Sequence, residues 1–337
     1  MTEFLPDLPH VWAGLIAFAV LAYVVLDGFD LGVGILFPFL GREEERDLAM
    51  NTVAPVWDGN ETWLILGGGG LFAVFPLAYA IVMPALYIPI IAMLLGLVFR
   101  GVAFEYRWRT ERRKWLWDLS FAGGSVVAAF MQGAMLGALV HGIEFEGRAY
   151  SGGAWDWVST FSVLTGTALV LGYALLGATW LVMKTTGPVA ALSQYYARVT
   201  GVATLALIGA VSLITPFIDA AYFGRWFGWP TVLFSLVVPA LVAGAAYLLF
   251  DGLRRGHDYQ PFLSALGIFV LCYVGIGISF YPYIVPPRLT IEAAAAPDDS
   301  LVFLLVGASI LIPVILAYTA YAYWVFRGKI APGEGYH

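Results

Sequence analysis

The chain has 337 residues, of which 61% are hydrophobic and only 12% charged, about half the charged share of an ordinary soluble domain. Its net charge of −6 argues against nucleic acid as a partner. A single cysteine, Cys272 in an apolar run, excludes a disulfide framework and a cysteine-ligated metal cluster.

The apolar residues fall in runs of about 18 or more, long enough to cross a hydrocarbon core as helices. A β-barrel is excluded, because its strands would be roughly ten residues long and would alternate in polarity. The sequence predicts an all-α polytopic membrane protein, a single transmembrane domain over residues 1–337 with nine spans. They are placed at 10–38, 54–76, 78–106, 116–141, 157–184, 199–218, 230–250, 260–282 and 301–327.

The N-terminus reads "MTEFLPDLPH", with Glu3 and Asp7 where a signal peptide carries basic residues, so the first span is read as retained. That span contains "LDGFDLGVG", with Asp27 and Asp30 three residues apart. The second opens on "APVWDGNETWL", which sets Asp58 and Glu61 one helical turn apart, and continues through Gly67 to Gly70. The third carries Pro84 and Pro89, then Arg100 and Glu105 in "FRGVAFEY". Internal prolines, including Pro239 and Pro313 further on, are tolerable where neighbouring helices satisfy the freed backbone groups. Small residues in such helices usually serve close packing, although a run of four glycines could also kink the second span. No strand precedes the glycines, so a dinucleotide fingerprint is not supported.

Orientation follows from the basic residues. Thirteen Lys and Arg fall in alternate loops and the C-terminal tail, among them Arg42, Arg46, the run from Arg107 to Lys114, Lys184 and Arg254. Only Arg148, Arg225 and Arg288 fall on the other side, and Arg100 lies within a span. This predicts an N-terminus outside, a C-terminus in the cytoplasm, and an odd number of spans.

At about 1.5 Å per residue, Asp27, Asp30, Asp58, Glu61, Arg100 and Glu105 come to one depth near the cytoplasmic side. The carboxylates of i, i+3 pairs share a helix face. Crowded in low dielectric, they cannot all stay ionised, which suits proton transfer, and Arg100 would hold part of the cluster anionic. The plainer alternative makes them interfacial caps and a structural ion pair. The histidines, His10, His141, His257 and His337, sit at span ends, in a loop or at the C-terminus, so bis-histidine heme ligation within this chain is not supported, and no metal site is read.

The segments "YVVLDGFDLGVGILFPF", "NTVAPVWDGNETWLILGGGGLFAVFP" and "YAIVMPALYIPIIAMLLGLVFRGVAFEYR" closely resemble subunit II of cytochrome bd-type quinol oxidases. The motif-rich match covers residues 20 to about 135, and the relatively short chain is similar to the cyanide-insensitive branch. The resemblance implies two four-helix bundles plus one peripheral helix, in a prokaryotic plasma (inner) membrane. It implies an obligate partner, subunit I, which carries two b-type hemes, heme d or a b-type replacement, and the quinol site. It also allows a small single-span accessory subunit and a bound quinone or lipid. No heme and no catalytic residue is expected on this chain. The family reaction oxidises quinol outside and reduces O2 to water with cytoplasmic protons, an electrogenic reaction without pumping. By resemblance, Asp58, Asp27 and Asp30 look like a proton entry route, which Glu61 joins and Arg100 balances on depth and charge, and Trp63 matches a position linked to an oxygen channel.

Two readings from other classes stay open. A proton-coupled secondary transporter would use the carboxylates as coupling sites, with broken helices in two corresponding halves. A purely structural scaffold subunit would stabilise its partner and carry no protons.

Overall fold

A computed structural model describes residues 7–330; Glu3 and His337 lie outside them. Helices follow the apolar runs, and prolines and capping side chains set their ends. α1 (Leu8–Leu36) starts at Asp7, whose carboxylate accepts a hydrogen bond from the His10 amide, and runs into a 3-10 turn at Phe37–Phe39. α2 (Glu43–Val53), α3 (Trp57–Val74), α4 (Pro76–Ala85), α5 (Tyr87–Arg107) and α6 (Lys114–His141) follow. A short hairpin, β1 (Phe145–Glu146) and β2 (Ala149–Tyr150), leads to α7 (Thr160–Lys184) and α8 (Gly187–Ile214). Then come α9 (Ala220–Phe227), α10 (Thr231–Arg255) and α11 (Gln260–Phe280). A second hairpin, β3 (Tyr283–Val285) and β4 (Leu289–Thr290), precedes α12 (Ile291–Ala294) and α13 (Asp298–Val325).

Among the described residues, eight helices are long and apolar enough to cross a membrane: α1, α5, α6, α7, α8, α10, α11 and α13. The chain is therefore a multi-pass membrane protein. The second predicted span corresponds to α3, 18 residues long, but Asp58, Asn60 and Glu61 in its first turns and its four glycines dilute its apolar content. The third predicted span is two helices, broken at Leu86. Pro89 has no N–H for the Ala85 carbonyl and its ring crowds that carbonyl, which favours the break found here, although α10 and α13 continue through Pro239 and Pro313.

Two other elements differ from the sequence reading. The first connection contains α2, whose polar composition hides a buried stripe of Leu48, Ala49, Met50 and Val53. Its three leading glutamates face the positive end of the helix dipole. α8 begins about a dozen residues before the predicted edge, at Gly187 with φ of 65° and Pro188 in the first turn. Its early turns carry Gln194, Tyr195 and Arg198, polar enough to read as loop.

α1 lies at the centre, packed on α3, α6 and α7, while α11 reaches both α7 and α1. α13 runs along α1 and α3 and is mostly exposed. The central crossing depends on glycine. A Cβ on Gly32 of α1 would collide with the Tyr173 carbonyl of α7, and one on Gly177 would collide with the backbone of Gly32. α5 and α6 meet in the same way at Gly96 and Gly124. Gly67 and Gly70 face Val20 and Ile16 of α1, while Gly68 and Gly69 face outward, and α3 continues unbroken through all four. The glycine run serves packing here, not a kink.

Gly32→Ala is expected to destabilise the fold by about 3 kcal/mol or more, the upper range for overpacking, because a rigid backbone cannot yield as a side chain can. Gly307→Ala, where nothing lies within 4 Å of the added carbon, should be tolerated. Thermal unfolding of the two detergent-solubilised variants, with the yield of monodisperse protein, checks the contrast.

Candidate functional site: a buried carboxylate and arginine cluster

α1, α3 and α5 enclose a polar cluster in an otherwise apolar interior. Asp27 and Asp30 are fully buried because both faces of α1 are covered at that level. Arg100 is fully buried too, on the stripe of α5 that includes Gly96, Leu97, Phe104 and Arg107. Its Nη1 donates to Glu61 Oε1 at 2.8 Å and lies 3.7 Å from Asp27 Oδ1. The guanidinium sits over the rings of Phe104, Phe121 and Trp57, with centroids at 5.4, 5.9 and 6.0 Å. Trp57 is itself stacked on Phe104 at 4.8 Å. Such rings partly replace water around a cation.

Asn60 is the hub of the other half. Its Nδ2 donates to Asp30 Oδ2 at 2.6 Å and to the Leu26 carbonyl at 3.1 Å, and its Oδ1 accepts from the Tyr323 hydroxyl at 2.9 Å. The amide thereby joins α1, α3 and α13. Sequence reasoning passed over Asn60 and Tyr323; the available signal was an asparagine between the carboxylates of "WDGNET", buried while its neighbours are not.

The structure brings together part of the predicted set. Asp27, Asp30, Glu61 and Arg100 converge, with Glu61 the only partly exposed member. Asp58 stands one turn before Glu61, exposed and without an ion pair among the described residues. Arg100 therefore does not depend on it. Glu105 is also outside the cluster, exposed and 3.8 Å from Arg109. Trp63 is buried among Ala19, Ala22 and Tyr23 and edge-on to Phe18 at 5.7 Å, and its indole N–H has no hydrogen-bond partner among the described residues.

A second charged group fastens the basic end. Arg107, fully buried, bonds Asp47 at 2.5 Å and Asp118 at 2.6 Å, while Arg46 bonds Asp118 at 3.0 Å. Lys114 bonds Glu43 at 2.5 Å and holds that carboxyl below the usual carboxylate range. That pair is present at neutral pH and lost as the pH falls through the lowered value, and its exposure limits it to about 0–1 kcal/mol. α2, α5 and α6 are thus tied together by residues first noticed only as topological charges. On α7, Lys184 donates to the carbonyls of Phe326 and Gly328, the latter at 2.7 Å.

His10 and His141 lie at helix ends and His257 in a loop; His10 is held by Asp7 at 2.7 Å and His257 by Gln260 at 2.6 Å. Asp7, His10 and Glu292 bring ligand atoms within 4.8 Å of one another, but two of them are exposed acids at a surface remote in sequence from the cluster, and no metal is assigned.

A family profile described as cytochrome bd terminal oxidase subunit II matches residues 8–326. The chain is 29% identical to cytochrome bd-I ubiquinol oxidase subunit 2 of Escherichia coli strain K12, over 96% of this chain and 95% of that protein. It is 30% identical to cytochrome bd ubiquinol oxidase subunit 2 of Bacillus subtilis strain 168, over 97% and 98%. Its fold is similar to a chain of the bd oxidase from Geobacillus thermodenitrificans, with TM-score 0.75 and 14% identity, covering 95% of this chain and 99% of that one.

Arg100→Met should cost about 3–5 kcal/mol of stability, since it strands buried carboxylates that have no other cation within 4 Å among the described residues. Asp58→Asn should leave stability within about 0.5 kcal/mol of the original, as expected of an exposed, unpaired side chain. Denaturant unfolding of the two solubilised variants checks both values.

Proposed function

This chain belongs to the cytochrome bd terminal oxidase subunit II family, and on that footing we propose that it supports a heme-bearing subunit I in oxidising quinol and reducing O2 to water. The relatives above are named as subunits of ubiquinol oxidases, so a partner subunit I is implied. The hemes reside on that partner, in keeping with a histidine set confined to helix ends and a loop. The transporter reading yields to the family match.

The contribution assigned to this chain is proton intake. The observation that carries it is the graded burial of one polar set: Asp58 exposed, Glu61 partly exposed one turn on, Asp27 and Asp30 fully buried. Asp58 takes up a proton at the surface. Glu61, bonded to Arg100, passes it toward Asp27, and Arg100 offsets part of the negative charge of a dry cluster. One guanidinium facing three carboxyl groups leaves the cluster holding exchangeable protons. Trp63, packed edge-on against Phe18 in an apolar layer, is assigned to an oxygen route.

In this reading α3 also crosses, giving nine spans: α1, α3, α5 and α6 form one four-helix bundle, α7, α8, α10 and α11 a second, and α13 is peripheral. The basic end faces the cytoplasm and the N-terminus lies outside. Protons consumed from inside, with quinol protons released outside, separate charge without pumping.

Asp58→Asn in the assembled oxidase should keep full heme content and normal reduction by quinol yet consume O2 at least about tenfold more slowly, because Asn keeps the size but cannot exchange the proton. Heme content and O2 consumption on one preparation test this; unchanged turnover would reject the route and favour the scaffold reading.

Reporter fusions at Arg112 and Gly152 should report cytoplasm and exterior respectively, and the reverse pattern would overturn the orientation.

A further inference from the structure

Above the carboxylate cluster, a second buried chain of polar groups crosses from α1 through α6 to α7. Tyr23 and Tyr173 are both buried, and Gln132 stands between them. Gln132 Nε2 donates to the Tyr23 hydroxyl at 2.8 Å, and the Tyr173 hydroxyl donates to Gln132 Oε1 at 2.8 Å. Neither the family reading nor the carboxylate pathway uses these three residues.

The donors run one way, and that direction has a chemical result. Once the Tyr23 oxygen accepts from Gln132, its own O–H hydrogen is free to point elsewhere. Asp27 lies one turn further along α1, beside that hydroxyl. Neither Asp27 oxygen has a hydrogen-bond partner in place among the described residues. A buried carboxylate in that position draws the free hydrogen toward itself. Turning the Gln132 amide over would reverse everything. Its Oε1 would then take the Tyr23 hydrogen, the phenol lone pairs would face the carboxylate, and Tyr173 would lose its acceptor. The orientation in the structure gives Tyr173 an acceptor and leaves the Tyr23 hydrogen free for Asp27.

We infer that Gln132 is a positioning residue for proton transfer: it orients the Tyr23 hydroxyl to donate to Asp27 and so sets how tightly that carboxyl holds a proton. The inference rests on the proton-intake reading. The groups that face Asp27 are Arg100 on α5, Glu61 on α3, Tyr23 and Asp30 on α1, Tyr173 on α7 and Tyr323 on α13. Gln132 is the neutral contribution of α6, and it acts through Tyr23.

The test uses the whole oxidase complex with Gln132→Met, Tyr23→Phe and the double variant. Each single variant should keep its heme content and move the pH profile of O2 consumption upward by about one to two pH units, the scale of one hydrogen bond to a carboxylate. The double variant should shift no further than Tyr23→Phe alone. A structural role would instead lower heme content additively and leave the profile in place. Infrared difference spectra read the Asp27 carboxyl band, identified by its loss in Asp27→Asn, independently of turnover. A band moved by Gln132→Met supports the inference even if Asp27→Asn turns over normally, in which case the proton-intake reading alone fails. A band and profile that Gln132→Met leaves unmoved overturn the inference, and slow turnover of Asp27→Asn in that case leaves the pathway standing. If Gln132→Met does not assemble, Tyr173→Phe decides. It keeps the fold's bulk and frees Gln132 Oε1, and an unmoved Asp27 band there is equally fatal.

Discussion

The backbone contact between α1 and α7 at Gly32 and Gly177 governs much of the molecule. In a membrane, lipid tails are as apolar as leucine, so helices gain little by hiding greasy surface and gain mainly by fitting closely. Without side chains at the crossing, α1 is drawn against α7 and covered on its remaining sides by α3 and α6. That seals Asp27 and Asp30, which flank the approach on the same helix, away from solvent. The same closeness brings the Tyr173 ring against Gly28 and its hydroxyl to Gln132. Packing and chemistry share one cause.

Charge in such an interior must be balanced locally. The protein uses two solutions one α5 turn pair apart. Arg100 is surrounded by three aromatic rings and meets Glu61 directly and Asp27 at longer range. Arg107 is gripped by two aspartates at short distance, which are in turn bonded by Arg46 and Lys114 nearer the surface. The second arrangement is more fully paired, with only Nη2 of Arg107 left without a hydrogen-bond partner among the described residues, and suits a fastening. The first leaves Nε and Nη2 of Arg100 and both oxygens of Asp27 without well-formed hydrogen bonds among the described residues, which suits a place where protons and their partners rearrange.

The sequence made the membrane class plain, since composition and run length leave one solvent possible. It also made Asp27, Glu61 and Arg100 legible as neighbours, because three helices of alternating direction bring them to one level. What it hid had physical reasons. The break at Leu86 depends on which of two prolines loses the local contest, and neighbouring helices normally conceal such breaks in hydropathy. α2 is polar on most of its surface, so a search for apolar length passes over it. Depth fixes height but not burial: Asp58 and Glu105 are exposed outside the buried cluster, although Asp58 stands one turn before Glu61. Asn60, Gln132 and Tyr323 carry no charge and stand out only when their hydrogen bonds are seen.

Lys184 adds a constraint on how the chain is made. Its ammonium is buried at the end of α7, and its acceptors are carbonyls 142 and 144 residues later, just beyond α13. While the ribosome is still producing the intervening helices, those acceptors do not exist, and an unpaired ammonium must keep its water. The corner where α7 ends therefore stays hydrated until the last helix is inserted and its final carbonyls arrive. The two hydrogen bonds that close this corner can form only once translation has reached the tail.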